Sequence, residues 1–255
     1  MCAVEKRLLI TGCGRSGTKF AAELLQNLGL DVRHEEMGDD GIATWCMAVD
    51  CADSPWGGGR RGIQFGTILH QVRHPLKVIP SLTTFTAPSW RFIAKFAPIA
   101  ANEPILLRAA KYWYYWNQQA ERISQWRYRI ETLSNIYPEF CSRVGVKMDR
   151  MALETTSTLV NSRKTKRGLW WARYILDRLH LGQSSTKFDF LYNRDASYVD
   201  RPFTWDVLER CAPGWSKRIQ EESIRYGYTA EDDMVAAGLA PEESKDVKHG
   251  AVQPV

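Results

Sequence analysis

Residues 12–19 read G-C-G-R-S-G-T-K. Gly12 and Gly17 have the spacing of the G-x-x-x-x-G-K-[ST] phosphate loop, whose amides and Lys hold phosphates while its hydroxyl holds magnesium. Here the last pair is reversed. Thr18 stands in the Lys slot, and Lys19 stands where the magnesium ligand should be. That order suits a phosphate that arrives without magnesium. A loop running into a helix offers unpaired amides and the positive end of a helix dipole. Gly12, Gly14 and Gly17 let the backbone come close, while Arg15, Ser16, Thr18 and Lys19 add charge and hydroxyl donors. The plain alternative is a tight turn with solvated charges. Two cations, two hydroxyls and three glycines within eight residues weigh against it.

The run G-R-S-G-T-K-F (14–20) resembles the P-[KR]-S-G-T-T-[WF] loop of sulfotransferases that use 3'-phosphoadenosine 5'-phosphosulfate (PAPS). The resemblance implies Arg15 in place of the family's catalytic Lys or Arg. It puts Gly14, Ser16, Gly17 and Thr18 around the 5'-phosphosulfate and packs Phe20 on adenine. Lys19 departs from the commoner second Thr, although some carbohydrate sulfotransferases carry a basic residue there. Sulfuryl transfer needs no magnesium, which gives the reversed pair a chemical sense. The family's second signature is an Arg followed eight positions later by a Ser, both gripping the 3'-phosphate. Arg73 and Ser81 in ILHQVRHPLKVIPSL have that spacing. Arg supplies a bidentate charged grip, and a Ser two helical turns on returns a hydroxyl to the same end.

An acceptor hydroxyl must lose its proton as it attacks sulfur, so a general base must reach it. His34-Glu35-Glu36 follows a second short strand and lies on the sheet edge that carries the loop. By the resemblance, a Glu about twenty residues after the loop's cation is the base in the protein-tyrosine and carbohydrate branches, and a His in the cytosolic branch. Glu35, Glu36 and His34 are thus the candidates, with Glu35 preferred. A charged strand-to-loop edge is the bland alternative. His70 and His74 flank the second motif and read as structural. Weaker echoes are Tyr128–Glu131, the T-W-D helix in 201–210, and VNSRKTKR (160–167), where Arg163, Lys164, Lys166 and Arg167 resemble a basic loop closing over the nucleotide. A solvated charge run explains that last stretch equally well.

These residues need elements to hold them. RLLIT (7–11) reads as a buried parallel strand, and Phe20, Leu24, Leu25 and Leu28 as a helix face that Gly29 ends. LDVR (30–33) and FGTILHQV (65–72) are further strands, SPWGGGRRG (54–62) is a loop, and Pro75 opens a helix to Leu82. A long helix with an aromatic face spans 104–126, YRIETL (128–133) follows as a strand, and WDVLERC and WSKRIQEESIRYGY give two late helices. Alternating strands and helices imply a three-layer α/β/α domain with a mostly parallel sheet of four or five strands. Its likeness is to nucleotide kinases, the sulfotransferase fold by the resemblance above. A single domain over 1–238 and a frayed tail over 239–255 are expected.

The whole chain sets limits on partners. Its 255 residues, 44% hydrophobic and 25% charged, suit a soluble globular domain, and no apolar stretch is long enough to span a membrane. A net charge of +5 fits a small anionic ligand at least as well as nucleic acid, and no compact basic-aromatic patch appears before 160–175. The opening MCAVEKRLLITG lacks a signal peptide's apolar region, so a cytoplasmic chain with free thiols is expected, Cys46 and Cys51 being the only near pair. The expected activity is transfer of a sulfuryl group from PAPS, without metal, to a hydroxyl or amine of a small-molecule or carbohydrate acceptor. The rivals are a P-loop kinase using ATP and magnesium, and a non-catalytic nucleotide-binding module. WGGGRRG and the aromatic 110s offer themselves as walls for a sugar, phenol or lipid acceptor.

Overall fold

The computed structural model describes residues 4–156 and 202–238. Strand β1 (Val4–Thr11) lies at the centre of a five-stranded, all-parallel sheet. Beside it run β3 (Gly41–Ala43) and β4 (Ile63–Val72), with β2 (Val32–His34) and β5 (Trp126–Arg129) at the edges, in the order β2-β3-β1-β4-β5. Leu8 and Ile10 of β1 pack to one side of the sheet and Leu9 to the other. A strand covered on both faces has to be apolar at consecutive positions, so its sequence is a run and not an alternation.

Helix α1 (Thr18–Asn27) covers one face through Ala21, Ala22, Leu24 and Leu25. The chain then builds α2 (Pro75–Leu82), α3 (Ala87–Ile93) and α4 (Ile105–Ile123) on the opposite face. Helices α5 (Tyr137–Val144) and α6 (Arg150–Thr155) return beside α1. Helices α7 (Trp205–Cys211), α8 (Trp215–Arg225) and α9 (Ala230–Ala237) join the α4 side. The chain leaves β1 toward one face and β4 toward the other, so a crevice opens at the carboxyl ends of these two strands. The phosphate-loop motif and Arg73 both fall there.

The fold corrects several expected boundaries. Helix α4 stops at Ile123, because Gln125 ties the next segment to β4 through its amide and the Ile68 carbonyl at 2.9 Å. Strand β5 therefore begins at Trp126 and ends at Arg129, and residues 130–132 are a 3-10 turn instead of strand. Strand β3 was not expected at all. The aromatic face of α4 is core: Tyr112, Trp113 and Trp116 are fully buried, which removes them as walls for an acceptor. Cys13, Cys46, Cys51, Cys141 and Cys211 are free thiols. Among the described residues, no helix is long and apolar enough to cross a membrane. The basic segment 160–167 with Arg163, the stretch 168–200 and the tail 239–255 lie outside the described residues.

Candidate active site

The loop between β1 and α1 is anchored from beneath by side chains of β4 and α4. The Cys13 amide donates to Asn117 Oδ1 at 3.2 Å and the Gly14 amide to the Tyr112 hydroxyl at 3.0 Å. Gln71 Nε2 donates to the Ser16 carbonyl at 2.6 Å, and Gln71 in turn accepts from the Tyr128 hydroxyl at 2.6 Å. Asn117 Oδ1 also meets His70 Nε2 at 3.1 Å, with His70 fully buried. Burial pushes the His70 imidazole down to about 4, so it is neutral at ordinary pH. The glycines serve this packing. A Cβ on Gly14 would lie 2.6 Å from Phe85 Cζ; Gly17 has φ 98°, and a Cβ there would lie 2.4 Å from Ile130 Cδ1. Sequence reasoning had assigned these glycines to the ligand.

The amides of Gly17, Thr18, Lys19 and Phe20, at the start of α1, have no acceptor among the described residues. They are the ordinary orphan donors of a helix N-terminus. Lys19 is half-exposed and reaches Glu23 at 3.7 Å. Ser16 is fully buried: its amide donates to the Cys13 carbonyl at 3.2 Å, its carbonyl accepts from Gln71, and its Oγ meets no partner among the described residues. Phe20 is half-buried against the α1-side core. The Gly14 amide is already committed to Tyr112.

The second motif lands on the first. Arg73 Nη1 donates to the Arg15 carbonyl at 3.3 Å, across 58 positions of sequence. Arg15 Nη2 donates to the Thr84 hydroxyl at 3.2 Å, and that hydroxyl donates to the Ser81 carbonyl at 2.8 Å. The Arg15 guanidinium also lies 5.2 Å from the Phe85 ring centroid. Lys77, not singled out from the sequence, adds a further cation whose pKa is lowered by partial burial and then by Arg73. His74 behaves as a structural residue: its Nδ1 accepts from the Leu76 amide at 3.2 Å, its Nε2 meets Asp233 at 3.0 Å, and Glu131 accepts from its amide at 2.9 Å.

The three base candidates separate in space. Glu36 is 69% exposed at its side chain and accepts from Arg33 Nη1 at 2.7 Å. His34 and Glu35 face the loop instead, with His34 Nε2 4.0 Å from Glu35 Oε1. The His34 imidazole is pushed down to about 4, first by burial and then by the charges of Lys19 and Arg15. The Glu35 carboxyl is raised by burial, opposed by a hydrogen bond from Trp45 and by the Arg15 charge. Trp45 Nε1 donates to Glu35 Oε1 at 3.1 Å. Among the described residues, the only non-glycine residues with positive φ are Arg15 at 70° and Glu35 at 58°.

Gln71, Thr84, Asn117 and Trp45 were not singled out in the sequence, and Tyr112 was read there only as part of an aromatic helix face. Gln71 and His70 carried a signal, two polar residues within an apolar strand, and Asn117 stood on an otherwise aromatic helix face. Together the site can hold an anion at the start of α1, surround it with guanidinium and ammonium groups, and present a carboxylate of raised pKa beside them.

No protein-family model matches the chain, and no curated protein matches it. In structure it is similar to a sulfotransferase domain from the curacin biosynthetic pathway, at 14% identity and a TM-score of 0.43, over 87% of this chain and 98% of that one. It is also similar to mouse sulfotransferase SULT7A1 complexed with PAP, at 9% identity and a TM-score of 0.39, over 92% of this chain and 87% of that one.

Proposed function

We propose that the protein transfers a sulfuryl group from PAPS to a hydroxyl or amine of an acceptor, releasing 3',5'-ADP. The observation that carries this reading is the strained pair. The residues taken from the sequence as the catalytic cation and the preferred base, Arg15 and Glu35, are the two non-glycine residues held at positive φ among those described. Backbone strain of this kind costs on the order of 1–3 kcal/mol per residue and persists where surrounding structure enforces it, often at active sites.

The residues present fit an anionic nucleotide. The free amides of Gly17 to Phe20 and the half-exposed Lys19 suit the 5' end. Arg73 and Ser81, joined to Arg15 through its carbonyl and through Thr84, suit the 3'-phosphate. When bound, PAPS supplies an activated sulfuryl group. Arg15 and Lys19 stabilise the charge that develops on the bridging oxygen as its bond to sulfur breaks, where preorganised donors count most. Glu35 accepts the acceptor's proton as the new oxygen–sulfur bond forms, so 3',5'-ADP leaves with the electron pair of the broken bond.

Thermal melting with 3',5'-ADP in EDTA tests this reading. A ligand at about a hundred times its Kd stabilises the native state by about 2.7 kcal/mol. Stabilisation by 3',5'-ADP in EDTA, and much less by ADP with magnesium, is the expected result. Nucleotide binding that EDTA abolishes would replace it with a magnesium-dependent kinase.

A further inference from the structure

Trp45 lies two residues past the end of β3, at the start of the 3-10 turn Cys46–Ala48, and forms no part of any sequence motif above. Its side chain is buried among five aromatic rings, with centroids 5.1 Å away for Trp56, 5.6 Å for Phe85, Phe92 and Trp116, and 5.9 Å for Tyr112. Its carbonyl accepts from Trp116 Nε1 at 2.7 Å. An indole packed on all sides has little rotational freedom, and its one polar atom points wherever the packing aims it. Here Nε1 is aimed at Glu35 Oε1, 3.1 Å away.

Glu35 is fixed from the backbone side as well. Its amide donates to the Ala43 carbonyl at 3.2 Å. Gly57, from the WGGG segment, packs so closely that a Cβ there would lie 3.2 Å from the Glu35 carbonyl carbon. The left-handed backbone sets the direction in which the side chain leaves, and the indole holds one carboxylate oxygen.

We propose that Trp45 is the positioning residue of Glu35, its immobilised N–H engaging Oε1 and leaving Oε2 to take the acceptor's proton. This rests on the base assignment made above. A buried indole N–H needs some acceptor in any case, so the test must separate positioning from mere satisfaction. The groups facing Glu35 are His34 beside it, Arg15 from the loop, Cys46 from the turn after β3 and Tyr112 from α4. The Cys46 thiol is pushed up to about 12 and the Tyr112 hydroxyl is also raised, so neither titrates alongside Glu35.

The decisive measurement uses the full chain with 15N-labelled tryptophan. The Trp45 indole N–H resonance, assigned by its loss in Trp45→Phe, is followed against pH. It is expected to titrate with the acid limb of 3',5'-ADP release from PAPS, measured with a pool of phenol and sugar acceptors. Glu35→Gln, which keeps an oxygen acceptor, is expected to retain the resonance and abolish its titration. Trp45→Phe removes a donor that favours the charged carboxylate, so the acid limb moves to higher pH. The plateau rate falls about tenfold, the scale of a lost hydrogen bond to a charged group, while KM for PAPS stays unchanged. An indole resonance that ignores pH, or an acid limb unmoved in Trp45→Phe, overturns the positioning role. Should Trp45→Phe fail to fold, the resonance is identified instead as the one indole signal whose titration Glu35→Gln abolishes, and the absence of any such signal overturns the role as well. Loss of the underlying reading looks different: the wild-type chain then gains no stability from 3',5'-ADP.

Discussion

Arg15 and Glu35 sit in backbone conformations that an L-residue with a Cβ adopts only at a cost. At Arg15 this can be measured by comparing two truncations that both remove the guanidinium. Arg15→Ala keeps the Cβ and its strain, whereas Arg15→Gly relieves it. Elsewhere in a fold Gly is the less stable of the pair, because it loses more conformational freedom on folding. Here Arg15→Gly is expected to be the more stable by roughly 0.5 to 1 kcal/mol in urea denaturation. The opposite order would show that the loop relaxes freely. The base is tested by chemistry. Glu35→Gln keeps the shape and the Trp45 contact but loses proton acceptance, so transfer should fall by roughly 10²- to 10⁴-fold while 3',5'-ADP binding holds. Glu36→Gln, at an exposed side chain turned to Arg33, should leave the rate near normal. A large loss confined to Glu36→Gln or His34→Ala would move the assignment to that neighbour.

At the scale of elements, β4 and α4 hold the phosphate loop in place. Asn117 Oδ1 serves both the Cys13 amide and His70 at full burial, and Asn117 Nδ2 donates to the Trp113 carbonyl at 2.9 Å. Asn117→Leu leaves the Cys13 amide and His70 Nε2 without this partner, and a buried unsatisfied group costs on the order of 1–3 kcal/mol. The melt should drop accordingly and 3',5'-ADP affinity should weaken, because the loop loses one of its tethers. A melt within about 0.5 kcal/mol of wild type, the range of ordinary surface substitutions, would show that the tether is dispensable. The elements legible in the sequence are those with local signals. The apolar run of β1 declares itself, as does the Pro75 start of α2. The T-W-D segment became α7, with Thr204 Oγ1 capping the Val207 amide at 3.3 Å. Strand β3 was hidden because three residues, one of them Gly, become a strand only through their neighbours β1 and β2. The site divides in the same way. Arg15, Arg73 and Ser81 stood out through motif spacing, whereas Gln71, Thr84 and Asn117 reach the loop, and Trp45 reaches Glu35, through space from separate elements. That convergence leaves no spacing to read.

The molecule as a whole carries neutral imidazoles in its interior, which makes its stability sensitive to mild acid. His70 is completely buried with its pKa pushed down to about 4, and His34 is pushed down to a similar value beside the loop cations. His74 is lowered too, burial outweighing the charges of Asp233 and Glu131. In the unfolded chain a His takes up its proton near pH 6.5. As pH falls from about 6.5 to about 4, the unfolded state therefore binds protons that the folded state refuses, and stability declines across that window. For His70 alone the full decline is roughly 3 kcal/mol. Glu35 works the other way, since its raised pKa lets the folded state bind a proton first, but it is one group against three. Carboxylates with lowered pKa, such as Glu121 under the Arg225 guanidinium, begin to add their own loss only in the lower part of this range, from about pH 5 downward, where the unfolded chain starts to protonate them. Melting curves between pH 7.5 and pH 4 should therefore fall most steeply on either side of pH 5.5. In His70→Gln, which keeps a hydrogen-bonding side chain and removes the titration, the overall stability is expected to be lower at pH 7.5 but the slope distinctly shallower. A His70→Gln slope equal to that of the wild type would mean that the buried imidazole is not the group whose protonation opens the fold.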